Sequence, residues 1–116
     1  MAGTIRGIMM VDLRQSELFA WQNRNFGIND YTGMQCALGM AEEVGEVCHH
    51  ILKGMQGIRG GINGINKSEI ADGVADVLIY GLQLLSFLGL DAEQEISSVI
   101  TKVLRRDWRA NRKGKE

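Results

Sequence analysis

Apolar residues recur at three- and four-residue spacing over most of this chain, strand-like alternation is scarce, and there is no proline. This pattern predicts an all-α domain. Punctuation along the chain then sets out four helices. The first runs from about Asp12 to Phe26 and stops at Gly27, and the second from about Thr32 to Lys53, stopping at Gly54. Asn66 reads as an N-cap with Glu69 at the third helical position, opening a third helix that runs to Leu88 and ends at Gly89. Asp91, with Gln94 in the equivalent place, caps a fourth that reaches about Ala110. Between the second and third helices, residues 55–65 form a glycine-rich connection without periodicity. Residues 1–10 and 111–116 are expected to fray.

Angular positions at about 100° per residue show how each helix is meant to sit. On the second, Glu42, Glu43, Glu46, His49, His50 and Lys53 share roughly one third of the circumference, and apolar or small residues cover the rest, so burial over most of its surface is expected. On the third, Glu69, Asp72, Asp76, Tyr80 and Gln83 share a stripe of roughly a quarter turn. Helices this apolar belong in the middle of a bundle or at a subunit interface. The expected architecture is therefore a four-helix-bundle-type fold that forms a homodimer or homotetramer, with exchange of helices between subunits an option. The fourth helix, with Ile96, Val99, Ile100, Val103 and Leu104 against Lys102, Arg105, Arg106 and Arg109, reads as a surface element.

A chain of 116 residues with 45% hydrophobic content can bury one core, so 1–116 is expected to be a single domain. Its net charge of −1 gives no global reason to expect nucleic acid or an anionic membrane as a partner. Cys36 and Cys48 lie on one predicted helix, separated by roughly 18 Å, which forbids pairing. Reduced thiols point to a cytoplasmic protein. There is no long apolar signal region near Met1 and no run of 18 apolar residues, so neither secretion nor membrane insertion is expected.

Charge changes the picture more than composition does. Carboxylates set in apolar runs are costly unless something cationic compensates them. Solvated helix edges usually mix Lys with Glu at four-residue spacing, whereas Glu42, Glu43, Glu46 and then Glu69, Asp72, Asp76 have no cationic neighbour before Lys53. Like charges stacked this way call for a divalent cation. Hard oxygen donors without cysteine favour Mg²⁺, or Mn²⁺, held together with a phosphate-bearing substrate.

Glu43-Val44-Gly45-Glu46 after an apolar stretch, followed on the next long helix by Ala75-Asp76-Val77-Leu78-Ile79-Tyr80, resembles the MazG-like all-α nucleoside triphosphate pyrophosphohydrolases. Their pattern is Glu-Glu-x-x-Glu followed by Glu-x-x-Asp. The resemblance covers roughly Phe19 to Ala110, including the Leu88-Gly89-Leu90-Asp91 corner and the Val103–Trp108 ending. It implies an oligomeric helical bundle and Mg²⁺-dependent cleavage of a nucleoside triphosphate to the monophosphate and pyrophosphate. One departure stands out, because the position three before Asp76 is Gly73 instead of Glu. Glu69 and Asp72 form a Glu-x-x-Asp one turn earlier, and Asp72 is the first candidate to supply the missing oxygen.

Under that resemblance Glu43, Glu46, Asp72, Asp76 and Glu69 are the metal ligands, and Glu42 or Glu43 orients or deprotonates the attacking water. Lys53 and Arg59 are the nominated phosphate-binding cations. Trp21, Asn25, Phe26 and Tyr80 are the candidates for holding base and sugar, since stacking plus an amide is a common means of doing so. His49 and His50, being adjacent, do not both face one metal readily. Two rivals come from other classes. Glu46-Val47-Cys48-His49 is the Glu-x-x-His unit of di-metal carboxylate oxidases, but the third helix contains no histidine to complete it. A non-catalytic helical interaction module would explain the apolar helices and leave the acidic stripes without a role.

Overall fold

The computed structural model describes residues 13–58 and 66–112, and all four of its elements are α-helices: α1 Gln15–Phe26, α2 Thr32–Gln56, α3 Lys67–Phe87 and α4 Ala92–Arg105. The two caps expected from the sequence are in place. Asn66 Oδ1 accepts from Glu69 N at 3.2 Å and Asp91 Oδ2 accepts from Gln94 N at 2.9 Å, each satisfying an orphan amide of the first helical turn. Fraying at 1–10, the glycine-rich residues 59–65 with Arg59, and 113–116 lie outside the described residues.

Three helix boundaries differ from expectation for local reasons. Arg14 takes a left-handed backbone (φ 53°), so α1 begins at Gln15 and not at Asp12. Gly54 is accommodated inside α2, which continues to Gln56. Gly57 (φ 69°) ends it, with Gly57 N donating to Gly54 O and Ile58 N to Lys53 O. α4 stops at Arg105, short of Ala110, because Asp107 Oδ1 accepts from the amides of Arg109 and Ala110 and competes with continued helix.

α2 and α3 are antiparallel and make the principal interface, while α1 lies chiefly against α3. The register can be followed along the seam: Gly33 meets Phe87, Gly39 meets Tyr80, Val47 meets Gly73, and His50 meets Glu69. At all three of the glycine crossings an added Cβ would come within 3.0 Å of the facing side chain, most severely at Gly39 and Gly73. A Cβ on Gly39 would overlap the Tyr80 ring, and one on Gly73 would lie 2.6 Å from Val47 Cγ2. α3 also has the length and mean hydropathy (1.4 over 18 residues) of a membrane span, and it carries Asp72 and Asp76.

The α3–α4 corner is closed by Gly89 (φ 77°), with Gly89 N donating to Ser86 O and Leu90 N to Leu85 O. Gln15 ties α1 to this corner. Its Nε2 donates to Ser86 Oγ (3.0 Å) and Leu90 O (2.9 Å), and its Oε1 accepts from Ala92 N (2.8 Å). Ala92 is fully buried, so losing that acceptor strands a buried amide. Gln15→Ala is therefore expected to lower unfolding stability by about 1–3 kcal/mol, measured as a shift of the urea midpoint.

Within one chain α2 and α3 are buried over less of their surface than their composition alone suggests. Among the described residues of the single chain, the buried apolar side chains are Cys36, Leu82 and Ala92, joined by the polar Gln22, Thr32 and Gln83. Met34, Leu38, Leu52 and Met55 of α2 and Val74 and Leu78 of α3 are exposed. The Cα radius of gyration is 17.6 Å, against about 13 Å for a compact chain of this length. One chain thus orders its helices around a thin core and leaves the larger part of their apolar surface uncovered.

Candidate functional site

The α2–α3 register determines which acidic side chains meet. Glu43 and Glu46 lie three apart on α2, and His50 follows Glu46 by four, so all three fall on one face. Opposite them on α3 stand Asp76, Gly73 and Glu69. Glu43 is half-buried on this seam, and that burial, followed by the charges of Asp76, Glu42 and Glu46, raises its carboxyl above the ordinary range. Farther along, His50 Nε2 lies 3.9 Å from Glu46 Oε2 and 3.6 Å from Glu69 Oε2. Among the described residues His50 is the one basic group within ion-pair distance of this face.

Each predicted site residue can now be placed. Glu43 and Asp76 interact across the seam, with Glu42 and Glu46 beside them on α2. Glu69, the weakest of the candidate ligands by spacing, faces α2 through His50. Asp72 is exposed and takes no part in the interactions linking the others. The absence of glutamate at position 73 has a steric reason, since the seam closes on Val47 there and no side chain fits without moving it. Lys53 does not reach the carboxylates; its Nζ donates to Gln56 Oε1 at 3.2 Å. Arg59 lies outside the described residues.

No three His, Cys, Asp or Glu side chains among the described residues converge tightly enough to enclose a metal ion. The donor set nevertheless suits Mg²⁺, which keeps several waters and is commonly held by one or two carboxylates plus substrate phosphates. Glu43 and Asp76 make such a pair. The Glu43 carboxyl is raised first by burial and only then by the charges of Asp76, Glu42 and Glu46.

Beside this acidic face lies a groove of about 940 Å³ between α1 and the α2–α3 pair, within the size range of small-molecule sites. Trp21, Asn25 and Phe26 from α1 and Tyr80 from α3 all line it, as does Asp76. The Trp21 and Phe26 rings meet edge to face, 5.7 Å between centroids, and Asn25 is oriented by donating from Nδ2 to Trp21 O at 2.8 Å. Three glutamines complete the wall, Gln22, Gln35 and Gln83. Gln22 is 5% exposed; its Nε2 donates to Cys36 Sγ at 3.3 Å, and its Oε1 has no partner among the described residues. Gln83 is 3% exposed.

Sequence reasoning missed His50 and these glutamines as site residues. His50 carried a local signal, its four-residue spacing from Glu46, but Glu69 is brought to it only by tertiary packing. Gln22 and Gln35 carried none, because a glutamine on a helix is ordinarily a surface residue. No protein-family model, curated protein or solved structure matches the chain.

Proposed function

We propose that this protein is a Mg²⁺-dependent nucleoside triphosphate pyrophosphohydrolase of the MazG-like all-α kind, hydrolysing the α–β phosphate bond to release a nucleoside monophosphate and pyrophosphate. The observation that carries this reading is that Asp76 belongs both to the aromatic and carboxamide groove and to the acidic seam with Glu43. A nucleobase stacked among Trp21, Phe26 and Tyr80 would direct its phosphates along that shared wall. Stacking and the carboxamides of Asn25, Gln22, Gln35 and Gln83 supply orientation, which is a large part of what phosphoryl-transfer catalysis requires.

Glu43, Asp76 and Glu46 would hold Mg²⁺, with Glu69 and Asp72 able to join through water. Held there, the ion would supply neutralisation of phosphate charge. Glu43 or Glu42 orients the attacking water and accepts its proton. Burial and the charges of Asp76, Glu42 and Glu46 raise the Glu43 carboxyl, and a cation beside it would oppose that shift. His50 lies between Glu46 and Glu69 and links the two helices at this end of the face. Lys53, one turn beyond His50, is the proposed phosphate-binding cation at that end, together with Arg59.

The exposed apolar stripes of α2 and α3 support a homodimer formed through Met34, Leu38, Leu52, Met55, Val74 and Leu78. A cytoplasmic location accords with two free thiols, one buried and one exposed. The same exposed surface favours, as a second reading, a helical interaction module without catalysis. One assay separates the two. Nucleoside and deoxynucleoside triphosphates incubated with Mg²⁺ are expected to yield pyrophosphate and the monophosphate, and chelator is expected to stop the reaction. Orthophosphate as first product overturns the assignment; no turnover, with no effect of Mg²⁺ on the melting temperature, overturns it too and favours the interaction module.

A further inference from the structure

α4 is joined to the rest of the chain at its first turn, through the buried Ala92 and the Gln15 clamp, and beyond that touches α3 only slightly. Its apolar face is left open: Ile96 is 41% exposed, Val99 55%, Ile100 49%, Val103 49% and Leu104 78%. At 100° per residue these five lie within about 140° of one another, a continuous stripe and not a scatter. Contiguous apolar patches of this kind mark interaction sites.

The charges flanking the stripe indicate what covers it. Glu95 and Lys102 border the same edge of the stripe, within about 20° of each other around the helix. Uncharged Ser97 and Thr101 border the opposite edge, and Arg105 and Arg106 close the C-terminal end. When two copies of a helix pair antiparallel, each edge faces its own counterpart with direction reversed, so Glu95 comes opposite the partner's Lys102, and Lys102 opposite the partner's Glu95. A parallel pair would instead set the Glu95–Lys102 edge against the Ser97–Thr101 edge, where neither charge finds a counter-charge, and would align the two helix dipoles unfavourably.

We infer that α4 is a self-association surface, pairing antiparallel with α4 of a second copy of this chain through Ile96, Val99, Ile100 and Val103, with two reciprocal Glu95–Lys102 ion pairs. This surface is separate from the apolar stripes of α2 and α3, and the inference does not depend on catalysis. Where the α2–α3 faces also pair, two interfaces of different orientation join four chains as a dimer of dimers. A single short helix on each side buries an area at the low end for stable interfaces, so the α4 contact dissociates in the micromolar range.

The test uses the full chain and reads mass by light scattering over a concentration series. Val99→Glu with Ile100→Glu is expected to halve the mass of the parent at the same concentration, with helical circular dichroism retained because both positions are exposed in the single chain. An unchanged mass overturns the proposal. So does a parent that is monomeric throughout, which would mean that another part of this chain or a different protein covers α4. The charge pair provides a second measurement that does not threaten folding. Glu95→Lys and Lys102→Glu are each expected to weaken association about tenfold, whereas an equimolar mixture of the two restores it, since every cross-pair is then complementary. A mixture no heavier than its components rules out the antiparallel pairing. Leu38→Glu with Leu78→Glu, on the other apolar surface, removes the α2–α3 dimer alone, so failure of either interface is read independently of the other.

Discussion

Asp76→Asn is expected to abolish nucleotide turnover, by at least about a thousandfold, while leaving the metal-free protein as stable as the parent or more so. Asp76 lines the groove that would take the nucleoside and repels Glu43 across the seam, so the substitution removes a ligand of the proposed cation and a source of strain together. Glu43→Gln sharpens the prediction through its pH dependence. The folded-state pKa of Glu43 is raised, chiefly by partial burial and then by Asp76, Glu42 and Glu46. Between the unfolded and folded values the native chain holds more protons than the unfolded chain, so stability falls as pH rises through that window. The cost is present at neutral pH and absent below the ordinary glutamate value of about 4.3. Metal-free Glu43→Gln should therefore melt higher than the parent at pH 7, and the difference should vanish in acid. Mg²⁺ should raise the melting temperature of the parent and not of the variant. A parent indifferent to Mg²⁺, or full activity in both Asp76→Asn and Glu46→Gln, would show the acidic face to be an ordinary solvated edge.

Gly39→Ala is expected to destabilise the fold by about 1–3 kcal/mol and to weaken nucleotide binding with it. Substituting alanine for glycine inside a helix ordinarily gains about 1 kcal/mol. At this crossing the added methyl would overlap the Tyr80 ring, which is a rigid wedge with no flexible end to swing aside. Either the helices separate or the ring is driven toward the groove it lines. The comparison is Gly81→Ala in the facing helix, where the new methyl would meet only the Met40 methyl at 3.8 Å, an ordinary contact. That variant should keep the propensity gain. Opposite signs for the two in chemical denaturation would locate the effect in the seam; equal gains would show that the α2–α3 crossing is looser than described.

The four helices were written in local chemistry. Asn66 and Asp91 each offer a side-chain oxygen to an amide three residues on, and Gly27, Gly57 and Gly89 supply the positive φ at which helices end. These signals act within a turn of chain, so the sequence displays them. Where they compete, sequence alone misplaced the boundary: Gly54 read as a stop although Gly57 is the residue that turns left-handed, and Asp107 ended α4 through bonds to amides beyond it.

The acidic residues were also legible as stripes, because angular position on a helix follows from spacing alone. Which carboxylates meet was not. That depends on the sliding register of α2 against α3, which is set by the few places where the backbones approach closely, at Gly39 under Tyr80 and at Gly73 beside Val47. The register puts Asp76 opposite Glu43 and Glu69 opposite His50, and it leaves Asp72 outside. The same holds for the groove. Trp21, Asn25 and Tyr80 could be nominated from side-chain chemistry, but their convergence with Gln22, Gln35 and Gln83 required α1 to lie across α3. Sequence by itself determined the elements and the face each residue occupies, since those depend on neighbours within a few positions. Only tertiary structure decided which faces meet and which apolar faces a single chain leaves uncovered, since those depend on contacts between residues far apart along it.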